Sequence, residues 1–520
     1  MDFVGIVIFA IVLYVRPQEM IGFLEALRPA FLSLAIAGLG LFIRPGGVNF
    51  KQIIRTPQDW MMAAYFTYIL FWTPGAFGDL WSELYPYIGF YFLVVLALTN
   101  FQRIYQYLWW WCGCVLFIAV LALLSLIGID PLGSAGTTAG SLGRLTLNLS
   151  LFDNPNALGH SVIVAVPLLY FLTIWKRPVF IKEVGGFLMI FPLVCAFFTQ
   201  SKGAFMSGFA AILATFTFGK PKWIQVLIVA GAFSFGMGGL QLLPRFDEVK
   251  IGQGSGRTDE AISGRLDAFE FGRWAFENTQ YGLGFKRFYP EFIRKEGDLK
   301  ARAPHSSFNQ VQAEFGFWGL LIFSGILYTC FHSLGRAKTA DDNEERVRRM
   351  LLCMLMTYFV SSWLIDFGFR AAFFVMVAMV SAFHRILMDR QPGFVSSEAP
   401  EPAAPDRFTG LAPALAGAGA MDGTQIYLAE RKVVRGLPTR PRQALSAHTG
   451  VAVQSGQGGQ GGRSRAESEG YVAPIKDLEN LPNIPTPFMP WSKFRWYDAI
   501  GIYISFQIVI AIRNWVIVNI

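Results

Sequence analysis

Charged residues are scarce in this sequence. Asp, Glu, Lys and Arg make up 15% of its 520 residues, whereas about a quarter is usual for a soluble domain. Apolar residues make up 53%, and long apolar runs recur along most of the chain. Runs of about twenty apolar residues are typical of transmembrane helices. The composition therefore excludes an ordinary soluble protein, a disordered chain and a collagenous chain, and it predicts an all-α polytopic membrane protein.

Cysteine is also scarce. All five cysteines fall inside apolar runs, so we expect buried thiols and no disulfide framework. The pair Cys112 and Cys114 has no second Cys or His cluster that would complete four metal ligands. We therefore predict no metal site and no other cofactor.

The net charge of +8 is scattered between the apolar runs instead of clustered on one face. A nucleic-acid partner is therefore not predicted. The first apolar run has no basic segment before it and no small-residue cleavage site after it, so we expect it to remain as a membrane span and not to be removed as a signal peptide.

The apolar runs predict twelve spans, of which the first and third are the least regular. They cover about residues 3–20, 24–43, 59–75, 84–101, 104–128, 157–175, 184–199, 203–219, 222–243, 314–335, 346–366 and 370–388. Two connections are long, at residues 129–156 and 244–313.

Basic residues are distributed unequally between the short connecting loops. With alternate loops assigned to opposite sides, one side holds sixteen Lys and Arg residues and the other holds only Arg16, Arg28, Lys202 and Arg370. The side rich in Lys and Arg faces the cytoplasm. The N-terminus and the end of the twelfth span are therefore predicted to be cytoplasmic, and both long connections extracytoplasmic.

Three regions differ in composition. Residues 1–390 form the predicted membrane domain, with a large extracytoplasmic loop at 244–313 between spans nine and ten. Residues 391–490 are rich in Pro, Ala, Ser and Gly and predict a disordered, low-complexity cytoplasmic tail. Residues 491–520 are apolar again, and a thirteenth helix, an interfacial helix and an extended segment all remain open. Arg513 argues against deep burial of this segment.

Polar residues that could carry chemistry gather on the predicted outer side. Lys202 lies in the tight turn Thr199-Gln-Ser-Lys-Gly-Ala204, where it either snorkels to lipid phosphate or binds an anionic head group. Ser263-Gly-Arg265 lies in the large loop, followed by Arg273 and by Tyr281-Gly-Leu-Gly-Phe285. Glycines separated by one residue allow a backbone to approach a ligand closely.

His160 and His305 are the two histidines predicted on the outer side. His305 lies in Pro304-His-Ser-Ser-Phe-Asn309, and Glu314-Phe-Gly-Phe-Trp-Gly319 follows at the start of span ten. A histidine has an unperturbed pKa of about 6.5, which suits a general base at neutral pH. A hydrogen-bonded interfacial histidine is the simpler interpretation of the same residue.

In this order and on this topology, four segments together resemble the O-antigen ligase and Wzy polymerase superfamily over about residues 90–390. They are Phe152-Asp-Asn-Pro-Asn-Ala-Leu158, the Lys202 turn, the Ser-Gly-Arg segment and the His305 segment. The resemblance implies a bacterial inner-membrane glycosyltransferase that acts at the periplasmic face on a glycan linked to undecaprenyl diphosphate. The family has Arg at the position of Lys202, and an ammonium group lacks the two-donor geometry of a guanidinium.

The resemblance also implies residue roles. His305 is the expected base for the acceptor hydroxyl, while Arg265 and Lys202 are expected to bind the diphosphate without metal or ATP. Glu314 either orients the imidazole or holds the entry to span ten. Substrate-binding positions are expected at Arg273, Asn154, Asn156 and Glu314.

Several functions remain open at this point. A ligase would transfer the glycan to lipid A core, as in lipopolysaccharide, or to a protein, whereas a polymerase would join lipid-linked repeats, as in an exopolysaccharide. A lipid-linked glycan transporter or flippase is less favoured because the spans carry few charges. In a fourth alternative, the tail binds other polysaccharide-assembly proteins.

Overall fold

The computed structural model describes residues 1–44, 53–132, 143–221, 223–228, 231, 260–297, 302–366, 368, 370–389 and 496–519. Most of these residues are helical, which confirms the predicted all-α fold. The helices are α1 (Asp2–Tyr14), α2 (Pro17–Met20), α3 (Gly22–Ala26), α4 (Pro29–Ile43), α5 (Pro57–Trp72), α6 (Phe77–Ala97), α7 (Phe101–Leu126), α8 (Pro155–Ile163), α9 (Ala165–Leu169), α10 (Val179–Phe198), α11 (Lys202–Thr217), α12 (Glu260–Asn278), α13 (Phe288–Glu296), α14 (Ser307–Arg336), α15 (Asp342–Leu364), α16 (Ala371–Asp389) and α17 (Trp496–Asn519).

Seven stretches of the described residues are long and apolar enough to cross a membrane. One of them joins α8, α9 and a π-helical turn at Tyr170–Ile174 into a single span. Helices α1 and α4 are apolar but shorter, and α5 and α11 have 16 residues each, so the number of spans stays a prediction. The ninth predicted span, residues 222–243, lies mostly outside the described residues, as does the predicted tail.

Helix α16 lies at the centre of the bundle. Nearly all of its side chains are buried, and it packs against α5, α6, α14 and α15. A helix that is apolar on every side belongs in the interior. Aromatic rings fill the contacts: Phe374 stacks on Phe66 with ring centroids 5.5 Å apart, and Phe373 stacks on Tyr358 at the same distance. Helices α10 and α17 instead expose most of their apolar side chains, as expected for helices that face lipid.

Loops that the charge pattern assigns to one side meet at one end of the bundle, which we call the inner end. Asp2 pairs with Arg103 at 2.8 Å. Elsewhere at this end, Arg55 pairs with Asp389 at 2.7 Å, and Lys176 pairs with Asp342 at 2.6 Å. The opposite end, called the outer end, holds the Lys202 turn and the start of α14.

The five cysteines are free and buried, which confirms the expected buried thiols. They lie on α7, α10, α14 and α15. The tight packing around them leaves the thiols inside the helix bundle.

The large loop contains its own small core. Helices α12 and α13 pack Phe271, Phe288 and Phe292 together with Ala268, Ala275 and Ala313. The rings of Phe271 and Phe292 are 4.9 Å apart. Because Ala313 lies in the first turns of α14 and packs in this core, α12 is held close to the outer end of the bundle.

The C-terminal apolar segment is a helix, α17, so the extended alternative for residues 491–520 is wrong over residues 496–519. It runs antiparallel to α14: Asp498 is 4.0 Å from His332 near the inner end, and Arg513 contacts Gln312 at 3.3 Å near the outer end. Arg513 is only 6% exposed. Gln312 of α14 receives the guanidinium near the outer end, so the expectation that Arg513 opposes deep burial of the segment in the membrane stays a prediction.

Candidate functional site

His305 lies in the short segment between α12–α13 and α14. It is half-buried, and its backbone is left-handed, with φ of 50°. A left-handed conformation costs a non-glycine residue about 1–2 kcal/mol, so the surrounding contacts must hold this segment in place. Burial and the nearby charges of Arg265 and Arg302 lower the pKa of His305 to about 4. The imidazole is therefore neutral at pH 7.

Arg265 lies on α12 and is half-buried. Its charge acts on His305 and also on His160 of α8. Close packing explains why glycine precedes Arg265 in the Ser-Gly-Arg segment. A Cβ at Gly264 would lie 2.7 Å from Nε of Arg302. The small residue thus lets Arg302 lie beside Arg265. Arg302 lies in none of the predicted motifs and was not a predicted site residue.

Asn309 joins the Arg265 helix to the His305 segment. Its Nδ2 donates to the carbonyl of Ala268 at 2.8 Å and to the carbonyl of Pro304 at 3.1 Å. Ala268 is one helical turn from Arg265, and Pro304 precedes His305. A Cβ at Gly272 would lie only 1.9 Å from Oδ1 of Asn309, so α12 approaches this amide closely. Asn309 ends the Pro304–Asn309 motif but was not a predicted site residue.

The Lys202 turn begins α11. Ser201 is the N-cap, and its hydroxyl accepts from the Ala204 amide at 3.2 Å. Lys202 is half-buried at the first helical position. A Cβ at Gly203 would lie 2.8 Å from Nε2 of His160, so the turn packs directly against that imidazole. The positive end of the α11 dipole and the Lys202 charge are therefore at the same place.

His160 lies between the Lys202 turn and the helix of Arg265. It is 2% exposed, and its Nδ1 is 2.9 Å from the Ser361 hydroxyl and 3.1 Å from the Ser207 hydroxyl. Its opposite nitrogen faces Gly203, and Arg265 acts on it from α12. The structure thus brings Arg265 and His305 together and places the Lys202 turn against His160, although these residues are far apart along the chain.

A family model described as O-antigen ligase matches residues 161–324. This segment is similar to O-antigen ligases, and we call it the ligase domain. The resemblance stated from the sequence is confirmed over it, and Lys202, Arg265 and His305 all lie inside it. The match supports a membrane glycosyltransferase-like function of ligase or polymerase type and, with the apolar helices, a bacterial membrane protein. A search of curated proteins found no match.

Two predicted substrate-binding residues precede the ligase domain and hold its edge. Asn154 is the N-cap of α8 and accepts from the Asn156 amide at 2.8 Å. The Asn156 side chain accepts from Nη2 of Arg144 at 2.8 Å, and Nε of Arg144 donates to the Thr199 carbonyl at 3.0 Å. Arg144, which the sequence analysis did not single out, therefore ties the start of α8 to the Lys202 turn.

The other two predicted substrate-binding residues make local contacts within the ligase domain. Arg273 is about half-exposed and pairs with Glu277 on its own helix at 3.2 Å. Glu314 is 1% exposed, and its carboxylate accepts from the Phe288 amide at 3.3 Å. This position supports the alternative in which Glu314 holds the entry to span ten.

The Gly-x-Gly segment packs against protein backbone. The amides of Leu283 and Gly284 donate to the carbonyls of Ala313 and Glu314, both at 2.9 Å. Helix α14 is kinked just after them, at Gly316, where φ is 62° and ψ is −156°. The kink frees carbonyls that the glycine segment can reach. The close approach predicted for these glycines is therefore made to α14.

A cavity of about 220 Å³ adjoins the site. Its wall is mostly apolar and includes Leu13, Val164 and Met376, with His160 and two arginines, Arg16 and Arg370, as polar members. Among the described residues, His, Cys, Asp and Glu side chains form no group of three or more that could hold a metal ion.

Proposed function

We propose that this chain transfers a glycan from an undecaprenyl-diphosphate carrier to an acceptor hydroxyl at the periplasmic face of the bacterial inner membrane. The observation that carries this proposal is the position of Arg265, whose charge acts on His305 and on His160 beside the Lys202 turn. In such a reaction the imidazole would act as the base, and the surrounding cations would bind the diphosphate. The O-antigen ligase match supports a lipid-linked glycan as the donor.

His305 acts as the general base in this proposal. The acceptor oxygen attacks the anomeric carbon, its proton passes to the neutral imidazole, and the bond from that carbon to the diphosphate oxygen breaks. Undecaprenyl diphosphate leaves with the electron pair. A base with a pKa of about 4 is weaker than the ideal near neutral pH. The negative charge of a diphosphate beside Arg265 and Arg302 would raise the pKa of His305, so the bound donor strengthens its own base.

The cations stabilise the leaving group. Negative charge develops on the diphosphate as the sugar departs, and pre-positioned cations and helix N-termini stabilise such charge. Arg265 is half-buried, and Lys202 adds its charge to the N-terminus of α11. This arrangement requires neither ATP nor a metal ion.

The neighbouring cavity suits the start of the carrier lipid. Apolar side chains such as Val164 and Met376 would contact an isoprenoid chain, and Arg16 and Arg370 add positive charge to the same wall. An apolar cavity with a few polar groups is the usual form of a small-ligand site.

The test uses the purified protein, a lipid-linked repeat, a chelator and no ATP. Glycan transfer under these conditions supports the proposal, and an absolute requirement for ATP or a metal ion contradicts it. Long chains made from the donor alone would identify a polymerase. A product formed only after a second acceptor is added, such as lipid A core or a protein, would identify a ligase.

A further inference from the structure

Helix α17 lies outside the ligase domain, yet it reaches the candidate site. It follows the predicted tail, starts near the inner end and brings Arg513 to the outer end of α14. Burying a guanidinium in a membrane helix is costly unless polar groups receive it. The contacts of Arg513 therefore show how α17 is connected to the candidate site.

Arg513 has two side-chain partners. Its Nη1 donates to Oε1 of Gln312 at 3.3 Å, and its Nε and Nη2 donate to Oδ1 of Asn514 at 3.0 and 2.7 Å. The guanidinium carbon also lies 5.2 Å from the ring centroid of Phe276 on α12. Asn514 is exposed and adjacent in sequence, whereas Gln312 is 2% exposed and leads into the site.

The contacts continue from Gln312 to the segment of His305. Nε2 of Gln312 donates to Oδ1 of Asn309 at 2.8 Å. Asn309 in turn donates to the carbonyls of Ala268 and Pro304. Three side chains thus connect the C-terminal helix to the peptide unit that precedes His305.

The hydrogen bonds that connect Arg513, Gln312 and Asn309 all run in one direction, with each residue donating to the next. A guanidinium only donates and a backbone carbonyl only accepts, whereas an amide can turn by half a rotation and exchange its donor and acceptor. Arg513 at one end requires Gln312 to present oxygen, which leaves its NH2 group for Asn309. Asn309 must then present oxygen to Gln312 and NH2 to the two carbonyls. Arg513 at one end and the two carbonyls at the other therefore require the same orientation of both amides.

We propose that Arg513 is a positioning residue for His305, acting through Gln312 and Asn309 on the Pro304 carbonyl. This inference rests on the proposed function, since His305 is its base. The left-handed backbone of His305 needs support, and the oriented Asn309 amide supplies it while binding α12 beside Arg265. Misplacing a catalytic group by about 1 Å can lower a rate about 100-fold.

The decisive variant is Gln312→Glu. It keeps an oxygen for Arg513, so the contact between α14 and α17 is retained, but it offers no NH2 group to Asn309. We expect Arg513→Ala and Gln312→Glu each to lower kcat about tenfold to 100-fold with little change in KM for the donor. Arg513→Lys, which still donates, should recover much of the rate. The matched control is Asn514→Ala, which removes the other partner of the same guanidinium and should leave kcat unchanged.

A purely structural role for Arg513 predicts a different pattern. In that case Gln312→Glu would have the kcat of the unmodified protein, and this result overturns the proposal. Hydrogen–deuterium exchange of residues 302–309 provides a readout that does not depend on activity. Exchange should be faster in Arg513→Ala and Gln312→Glu than in Asn514→Ala. If the unmodified protein transfers no glycan, the proposed function fails, while equal exchange in the three variants would refute the positioning role separately.

Discussion

The two ends of the bundle contain very different polar clusters. At the inner end, Asp59 is fully buried and accepts from Nη2 of Arg385 at 2.8 Å, from Ser381 at 2.6 Å and from Tyr91 at 3.0 Å. Asp59 also forms a capping box with Thr56 at the start of α5. The charge of the carboxylate is compensated by a guanidinium within the fold.

At the outer end, the charges that act on the candidate base are both positive. Arg265 and Arg302 lower the pKa of His305 after burial has already lowered it. A compensated cluster serves to hold helices together, whereas an accumulation of positive charge around a neutral imidazole is suited to an anionic substrate. The inner cluster therefore holds helices together, whereas the outer cluster is the proposed reaction site, and each of the following variants tests that distinction.

The largest effect is expected for His305→Ala at the outer end. Removal of a general base lowers a rate about 100-fold to 10,000-fold. The residue is only half-buried, so the abundance of the protein should not change. Initial rates of glycan transfer by the purified protein measure the effect. A variant that transfers glycan as fast as the unmodified protein removes His305 from the reaction.

At the inner end, Asp59→Ala should act on stability. Removal of one partner from a buried ion pair costs about 3–5 kcal/mol, because the other charge stays buried. Thermal unfolding in detergent and the amount of folded protein measure this loss. Asp59→Asn is the milder control, since the amide oxygen can still accept from Ser381. If Asp59→Ala unfolds like the unmodified protein but loses transfer activity, the assignment of the inner cluster to structure is wrong.

Lys202 is expected to have a smaller effect on donor binding. A hydrogen bond to a charged group contributes about 1.5–3 kcal/mol, so Lys202→Ala should raise KM for the donor about tenfold or more. Lys202→Arg should retain or improve activity because a guanidinium binds phosphate with two donors. Initial rates measured over a range of lipid-linked donor concentrations give KM and kcat for both variants. Full activity of Lys202→Ala would favour the alternative in which Lys202 only snorkels to lipid phosphate.

The smallest expected effect is a shift in pH dependence. Arg302→Gln removes a positive charge that disfavours the protonated imidazole, so the pKa of His305 should rise from about 4 toward its usual value. The acid limb of kcat/KM should then move to higher pH, with lower activity near pH 5 and little change near pH 8. Arg294→Gln is the control, because that arginine is largely exposed and pairs with Glu291. Identical acid limbs in both variants would show that Arg302 does not act on the base.

The sequence was informative about spans, loop grouping and the order of the motifs. Apolar length predicts helices directly, and the basic loops predicted to share a side do meet at one end, as the contacts of Arg103 and Lys176 show. His305 and Arg265 could be selected because each lies in a motif of the resembled family. These inferences depend on local composition or on residue patterns that the chain shares with the family.

The remaining features depend on contacts between distant segments. Arg302 and Arg144 have ordinary surroundings in the sequence, and only the fold places them beside Gly264 and Thr199. The alternatives for the C-terminal segment were decided only by the fold, in which residues 496–519 form a helix that packs against α14. The contact of Arg513 with Gln312 could not be predicted for the same reason, since the two residues are 201 positions apart.

The burial of all five native thiols has a practical consequence. A cysteine introduced at an exposed position of the outer end can be labelled selectively by a membrane-impermeant maleimide without first removing the native ones. Intact cells would then report directly which face of the membrane carries His305. The same label, placed at the rim of the cavity, would be shielded by a bound carrier lipid and so would follow its entry into the protein.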